Sequence, residues 1–322
     1  MKVLFIGGTG VISSACSQAA VDAGMELFLL NRGESKRPVP DSAKILHGDV
    51  RDVAATRELL RHYSFDVVVD WIAYQPEHIA ADVETFSRKV GQYVFISSAS
   101  VYKKPPTILP ITESTPRHNP FWQYSRDKIA CEELLMQAFR EKNFPVTIVR
   151  PSHTYDRTLL PFRGRYTIVD RMRRGEKVVV HGDGTSLWTL THHKDFAAGF
   201  IGLLGNPAAI GEAFHITSDE LLTWNQIFEI VAHAAGAEAK IVHVPSERIA
   251  KFDPDWGASL LGDKSHSVIF DNSKIKRTVP GFHASIPFYQ GAQEIMAWYD
   301  NNPQFQKVDD KLNTLLEKVL AA

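Results

Sequence analysis

Tyr124 and Lys128 stand four apart in the stretch YSRDK. On a helix, residues at that spacing share a face. An ammonium beside a phenol stabilises the phenolate, so such a tyrosine can serve as a base near neutral pH. Upstream, YVFISSASVY closes an apolar run with Ser97 and Ser98. A serine at a strand end and a tyrosine on a following helix can bracket one substrate hydroxyl above a nicotinamide. The Tyr-x-x-x-Lys spacing is common by chance and also fits a purely structural helix pair, so the surroundings must decide.

The first of those surroundings is GGTGVISSA, residues 7–15, directly behind the apolar run Val3–Ile6. Gly8, Gly10 and Ser13 follow a G-x-G-x-x-G spacing, and Gly7, Gly10 and Ser13 follow G-x-x-G-x-x-G. In both registers Ser13 stands where a third glycine is usual. The first glycines allow a tight turn and close approach of a pyrophosphate, and a helix opening near Val11 and Ile12 offers its amides to that anion. The third glycine serves helix–strand packing, so Ser13 is expected to leave the phosphate role intact. The second strand ends at Asn31-Arg32 rather than at an acid for ribose hydroxyls. Asparagine removes repulsion against a 2′-phosphate and Arg32 can pair with it, which tilts the cofactor from NAD toward NADP. An ordinary solvated loop arginine is the plainer alternative.

These residues need a scaffold, and the pattern supplies one. Strands are expected over 3–6, 26–30, 44–47, 66–70, 93–97 and 146–149, with helices over 11–24, 53–61, 79–89 and 124–140. Alternation of apolar strands and helices predicts an α/β fold, a doubly wound Rossmann-type parallel sheet with its crevice at the strands' carboxyl ends. Residues 1–150 read as the dinucleotide-binding domain, with some later segments returning to it. Residues 151–322 read as a smaller C-terminal α/β substrate-binding region with C-terminal helices. From Pro303 the tail carries Val308, Leu312, Leu315, Leu316, Val319 and Leu320, one apolar stripe that packs back onto the body.

Bulk composition excludes several classes. The chain has 322 residues, 44% hydrophobic, with 36 basic and 37 acidic side chains. Near-zero net charge argues against a nucleic-acid partner or an anionic membrane surface. Cys16 and Cys131 are isolated, which fits a reducing compartment, and no stretch approaches the roughly 20 apolar residues needed to span a bilayer. A soluble, cytoplasmic protein acting on a small molecule is expected. No metal is expected: His192 and His193 are adjacent and diverge, with no further ligand at a suitable spacing. His153 follows a strand end and is a candidate substrate contact, and a hydrogen-bonded structural histidine is equally compatible.

The glycine loop, HGDVRD, VFISSASVY, YSRDK and VRPSHTYD occur in this order, followed by VVVHGDGTSLWTLTHHKDFA and VIFDNSKIKRTVPGF. Together they resemble the extended short-chain dehydrogenase/reductase family, in its NAD-dependent epimerase/dehydratase branch, over nearly the whole chain. The resemblance implies Ser98, Tyr124 and Lys128 as a catalytic triad. Tyr124 exchanges a proton with a hydroxyl, Ser98 hydrogen-bonds the same oxygen, and Lys128 holds the nicotinamide ribose and tunes Tyr124. It implies Asp49 and Val50 at the adenine, Trp71, Ile72 and Ala73 along the cofactor's middle, and Pro151 beside the nicotinamide. It also implies a possible homodimer through the helix carrying Tyr124 and Lys128.

Within that family, Ser98-Ala99-Ser100-Val101-Tyr102 resembles the pattern of sugar-nucleotide 4-epimerases. Dehydratases carry an acid pair at the second and third places, here Ala99 and Ser100; epimerisation needs no such pair. Three departures concern the substrate: Lys103 replaces a glycine, Trp188 replaces a diphosphate-gripping arginine, and His193-Lys194-Asp195 stands where an acidic pair is usual. Trp188 and His193 join His153 as candidate substrate contacts. Arg163, Arg165, Arg171, Arg173 and Arg174 offer phosphate contacts or form a solvated helix face. The expected function is an NAD(P)-dependent epimerase of a sugar or sugar-nucleotide using transient hydride transfer. Alternatives are an NADPH-dependent carbonyl reductase of the same family, or, in another class, a non-catalytic dinucleotide sensor or RNA-associated protein resembling the chloroplast stem-loop RNA-binding proteins.

Overall fold

The run Val3–Ile6 is fully buried, with successive side chains entering opposite layers. Val3 and Phe5 join one apolar cluster, Leu4 and Ile6 another. A strand buried on both faces must sit inside a parallel sheet covered by helices. The computed structural model, which describes residues 1–321, shows that arrangement. Its first half runs β1 Lys2–Ile6, α1 Val11–Asp22, β2 Glu26–Asn31, β3 Lys44–His47, α2 Val53–Leu60, β4 Val67–Asp70, α3 Pro76–Phe86, β5 Gln92–Ile96, α4 Gln123–Lys142 and β6 Val146–Pro151. The second half runs β7 His153–Tyr155, α5 Tyr166–Arg173, β8 Lys177–His181, β9 Leu187–Trp188, β10 Leu190–His192, α6 His193–Ile201, β11 Ala213–Ile216, β12 Leu222–Thr223, α7 Trp224–Ala234, β13 Lys240–Val244, α8 Ser246–Phe252, α9 Pro254–Ser259, α10 Ser273–Thr278, α11 Phe288–Asn301 and α12 Asp310–Ala321.

Seven strands form one sheet in the order β11-β6-β5-β4-β1-β2-β3, and every neighbouring pair is parallel. The chain leaves β1 toward β2 and leaves β4 toward β5, so the order reverses between β1 and β4. A crevice opens at the carboxyl ends of strands at such a switch point. Helices α1 and α6 cover one face through Cys16, Ala20, Phe196 and Phe200; α3 and α4 cover the other through Ile79, Val83, Cys131 and Leu135. The edge strand β11 comes from beyond residue 150 and pairs with β6. A third core joins α5, α7, α11 and α12 with β8; there α12 buries Leu312, Leu316 and Val319.

Element ends follow local chemistry. The helix expected over 11–24 closes at Asp22, because Gly24 takes φ +74°. Asp52 caps α2 by accepting from the Ala55 amide at 3.0 Å. Helix α4 ends with Asn143 in the left-handed region, φ +53°. The short pairs β7–β10, β9–β12 and β8–β13 were not foreseen as sheets.

Candidate active site

The glycine turn leaves no room for side chains at its first two positions. Gly7 and Gly8 have φ of +99° and +89°, a region that side chains rarely adopt. A Cβ on Gly7 would lie 3.2 Å from Ile72 Cγ2 and 3.3 Å from Trp71 Cβ. The next helix, α1, opens with no acidic residue in its first turn, so its leading amides face the crevice without a competing charge. Ser13 does more than fill a glycine's place. Its hydroxyl accepts from the Gly10 amide at 2.7 Å, and Ser17 donates to Gly8 O at 2.9 Å. The turn is therefore braced by two serines of α1, and Gly10 N–H is already satisfied.

A cavity of about 400 Å³ runs from Gly7 past Asn31, Arg32, Asp49, Val50 and Ile72 to Tyr74. Of the residues expected at the adenine and the cofactor's middle, Asp49, Val50 and Ile72 line this cavity, while Trp71 and Ala73 are buried beside it. Asn31 accepts from the Gly33 amide at 2.9 Å, while Arg32 pairs with Glu34 at 2.9 Å and faces Asp49 at 4.0 Å. The loop between β2 and β3 lies against the glycine turn, with Ser35 near Thr9 O, and Arg37 ties it to Asp156 at 2.5 Å and Thr158 at 2.6 Å.

Beneath this cavity lies buried acid chemistry. Asp70, at the end of β4, accepts from the Ile72 and Ala73 amides at 2.6 and 2.8 Å through Oδ1. Burial, then the neighbouring Asp70, push the Asp82 carboxyl well above the ordinary range, and Tyr93 donates to it at 2.6 Å. Asp70 Oδ2 has no hydrogen-bond partner of its own, and its proximity favours the protonated form of Asp82. This arrangement fixes the segment carrying Trp71, Ile72 and Ala73.

The second cavity, of about 420 Å³, adjoins the sheet's carboxyl edge and is lined by Ser98, Tyr124, Pro151, His153, Trp122, Trp188, Asp263 and Lys264 among others. Ser98 and Tyr124 share it, and Lys128 stands behind Tyr124, its Nζ 5.9 Å from the ring centroid. A hydroxyl chain supports Ser98: Ser125 donates to Ser100 at 2.8 Å, and Ser100 meets Ser98 at 2.9 Å. The expected electrostatics differ in one respect. Lys128 donates to Ala73 O and Ile96 O, both at 2.7 Å, rather than to the phenol. Burial lowers its pKa to about 8. Burial pushes Tyr124 up to about 12, with the Ser98 hydroxyl drawing it down. The lysine therefore makes no hydrogen bond to the phenol and stands behind its ring on two backbone carbonyls.

His153 and Trp188 reach this second cavity together: Trp188 Nε1 donates to His153 Nδ1 at 3.0 Å. Trp188 is 2% exposed, a wall where an arginine was anticipated. His193 does not reach that cavity. It lines a separate groove with Asp156 and Glu294, because its neighbour His192 caps α6 and turns the chain away. Of the basic run, Arg163 pairs with Asp253 at 2.5 Å, Arg171 with Glu317, Arg173 with Asp300 and Arg174 with Asp170. These pairings take four of the five charges offered for phosphate, and the fifth, Arg165, lines a groove apart from this cavity. Asp70, Trp122, Asp263 and Lys264 were not anticipated. The last two come from a turn far along the chain with no motif of its own. No metal-ligating group of three His, Cys, Asp or Glu side chains exists among the described residues, and no helix is long and apolar enough to cross a membrane.

A doubly wound sheet with a glycine turn at its switch point and a serine–tyrosine–lysine cluster beside it defines a dinucleotide-dependent α/β enzyme. The chain belongs to the NAD dependent epimerase/dehydratase family, whose sequence profile matches residues 3–217. It is an enzyme of the extended short-chain dehydrogenase/reductase type. It is 28% identical over 290 residues to 2′-dehydrokanamycin reductase of Streptomyces kanamyceticus, covering 88% of this chain and 80% of that one. It is 31% identical over 266 residues to the chloroplast stem-loop binding protein of 41 kDa b of Arabidopsis thaliana, covering 75% of this chain and 65% of that one. Its fold matches UDP-glucose 4-epimerase of Bifidobacterium longum in complex with NAD+ and UDP, with a TM-score of 0.75 at 19% identity, covering 95% and 100% of the two chains. The tilt toward NADP finds no support: Arg32 is engaged by Glu34 beside Asp49, and the solved relative holds NAD+.

Proposed function

We propose that this chain is an NAD-dependent epimerase of a sugar or sugar-nucleotide. The observation that carries the reading is the wall shared by Ser98 and Tyr124, where Ala99 and Ser100 leave no acid pair for dehydration and the Ser100 hydroxyl is engaged by Ser98 and Ser125. Gly7, Gly10, Val11 and Ile12 would cradle the pyrophosphate, with Asn31, Asp49 and Val50 at the adenosine end, and Trp71, Ile72, Ala73 and Pro151 toward the nicotinamide. The two acids around Arg32 favour a ribose without a 2′-phosphate. When bound, the dinucleotide accepts and returns a hydride.

The chain's own residues handle the proton. Ser98 holds the reacting oxygen of the substrate. Tyr124 takes the hydroxyl proton and gives it back to the carbonyl oxygen. Lys128, fixed by two carbonyls, keeps a positive charge behind the phenol at neutral pH. Between the two proton transfers the keto-sugar turns over to its other face.

A second reading, a carbonyl reductase, is favoured by the likeness to 2′-dehydrokanamycin reductase over most of both chains. Denaturing purified protein and identifying released dinucleotide separates the two. Retained oxidised cofactor is the expected result; cofactor-free protein that binds NADPH reversibly would replace the epimerase by the reductase. For an RNA-associated role, salt-sensitive RNA binding that persists in Tyr124→Phe would be the sign.

A further inference from the structure

The substrate cavity ends in a feature that hydride chemistry does not use. Residues Leu260–Lys264 form a single π-helical turn, a distortion that often marks functional positions. Three side chains hold its last residue. His181 Nε2 at 3.0 Å, Ser186 Oγ at 3.2 Å and Trp224 Nε1 at 3.1 Å all meet Lys264 O. The backbone of one residue is thus pinned from three elements, and its side chain lines the cavity.

That side chain lacks an anion. Lys264 Nζ lies 5.6 Å from the Trp122 ring centroid and 5.9 Å from that of Trp188, and among the described residues it makes no hydrogen bond and no ion pair. Its neighbour Asp263 is committed elsewhere, with Oδ1 3.1 Å from Nζ of the buried Lys104. One carboxylate thus faces two lysines: burial lowers the Lys264 pKa, Asp263 raises it, and the pair of ammonium groups exceeds the single acid by one charge. Arg163, also on the wall, is paired with Asp253.

His153 adds a second donor. The indole of Trp188 can only donate, so His153 Nδ1 accepts and the ring proton sits on Nε2. Burial, then Lys264, lower the His153 pKa to about 3, so the ring stays neutral and keeps that donor. The cavity therefore presents an ammonium and an N–H with no acceptor committed to either, between two indole walls.

Resting on the reading of this cavity as the substrate site, we propose that its far end binds an anionic oxygen group, a carboxylate or a phosphate, carried on the substrate itself and held by Lys264 and His153. The cavity, at about 420 Å³, is at the small end of ligand sites (~300–1,000 Å³) and suits a compact acidic sugar. Trp188, closing the wall where a diphosphate contact was anticipated, points the same way.

The test titrates the full chain with D-glucuronate, D-glucose 6-phosphate and D-glucose, following tryptophan emission, with and without NAD+. At least one acidic sugar is expected to bind about tenfold or more tighter than D-glucose, since a desolvated charged hydrogen bond commands that margin. Glucuronate ahead of the phosphate assigns a carboxylate; the reverse assigns a phosphate. Lys264→Met should abolish the preference for the acidic sugar, leave D-glucose binding unchanged and keep the melting temperature. Lys264→Arg should keep the preference. Equal binding of D-glucose, no acidic sugar binding tighter than about 10 mM, or an unaltered preference in Lys264→Met overturns the proposal. An NAD+ titration of the same preparation, first stripped of any retained dinucleotide, keeps the two readings apart: failure to bind NAD+ sinks the dinucleotide reading, while the sugar series without NAD+ still decides this one.

Discussion

The two cavities are built by different means. The one at Gly7 is made largely of backbone: a turn with positive φ, helix amides, and a β4 end clamped by Asp70. The one at Tyr124 is made of side chains drawn from α4, β7, β9 and a turn past residue 260. Backbone recognition is generic and depends on where glycine is required. Side-chain recognition is particular and depends on residues far apart in sequence. The first tolerates little change in conformation, the second little change in chemistry.

The sharpest way to break this contrast is Tyr124→Phe. Turnover should fall about 10²–10⁴-fold, the range for lost acid–base catalysis, while dinucleotide titration stays unchanged. Full turnover in the variant would remove Tyr124 from the proposed chemistry. Gly7→Ala probes the other side. It forces a side chain into φ +99° and against Ile72 and Trp71, so stability should drop by about 1–3 kcal/mol and dinucleotide binding should weaken with it. Unfolding curves and titration of the same sample check both.

A pH profile lies between the two. Lys128, lowered to about 8, is charged below that pH and neutral above it, and only its charged form favours the phenolate that takes the substrate proton. Turnover should therefore decline as pH rises through about 8. A profile flat to pH ~10, where an ordinary lysine titrates, would show that the Lys128 charge is not needed. The smallest effect is expected from Ser13→Gly. It restores the usual glycine and removes one hydrogen bond to Gly10, a change of about 1 kcal/mol in stability with dinucleotide affinity nearly constant.

The same contrast explains what the sequence disclosed. The alternation of Val3–Ile6, Val67–Asp70 and Gln92–Ile96 with amphipathic helices specified the parallel sheet, because burial on both faces leaves continuous apolar runs. The glycine turn and the Tyr124–Lys128 spacing were legible because each is local. The direction of Lys128 toward Ala73 and Ile96 was not, since those carbonyls come from two different strands' ends. Lys264, Asp263 and Lys104 meet only through tertiary packing, and nothing in their own neighbourhoods marks them. Ser13 was partly legible: a hydroxyl three residues after Gly10 at a helix start is placed to accept its amide. His193 misled because its position in a motif said nothing of the direction in which α6 leaves.

The tie between Arg37 and Asp156 has a temporal meaning. It joins the loop after β2, whose Arg32 to Ser35 line the first cavity, to the chain beyond β7. A ligand lying under that loop leaves only as often as this partly buried contact opens. Residence time is thus governed separately from affinity, and release measured by stopped flow should quicken with added salt while equilibrium binding changes far less.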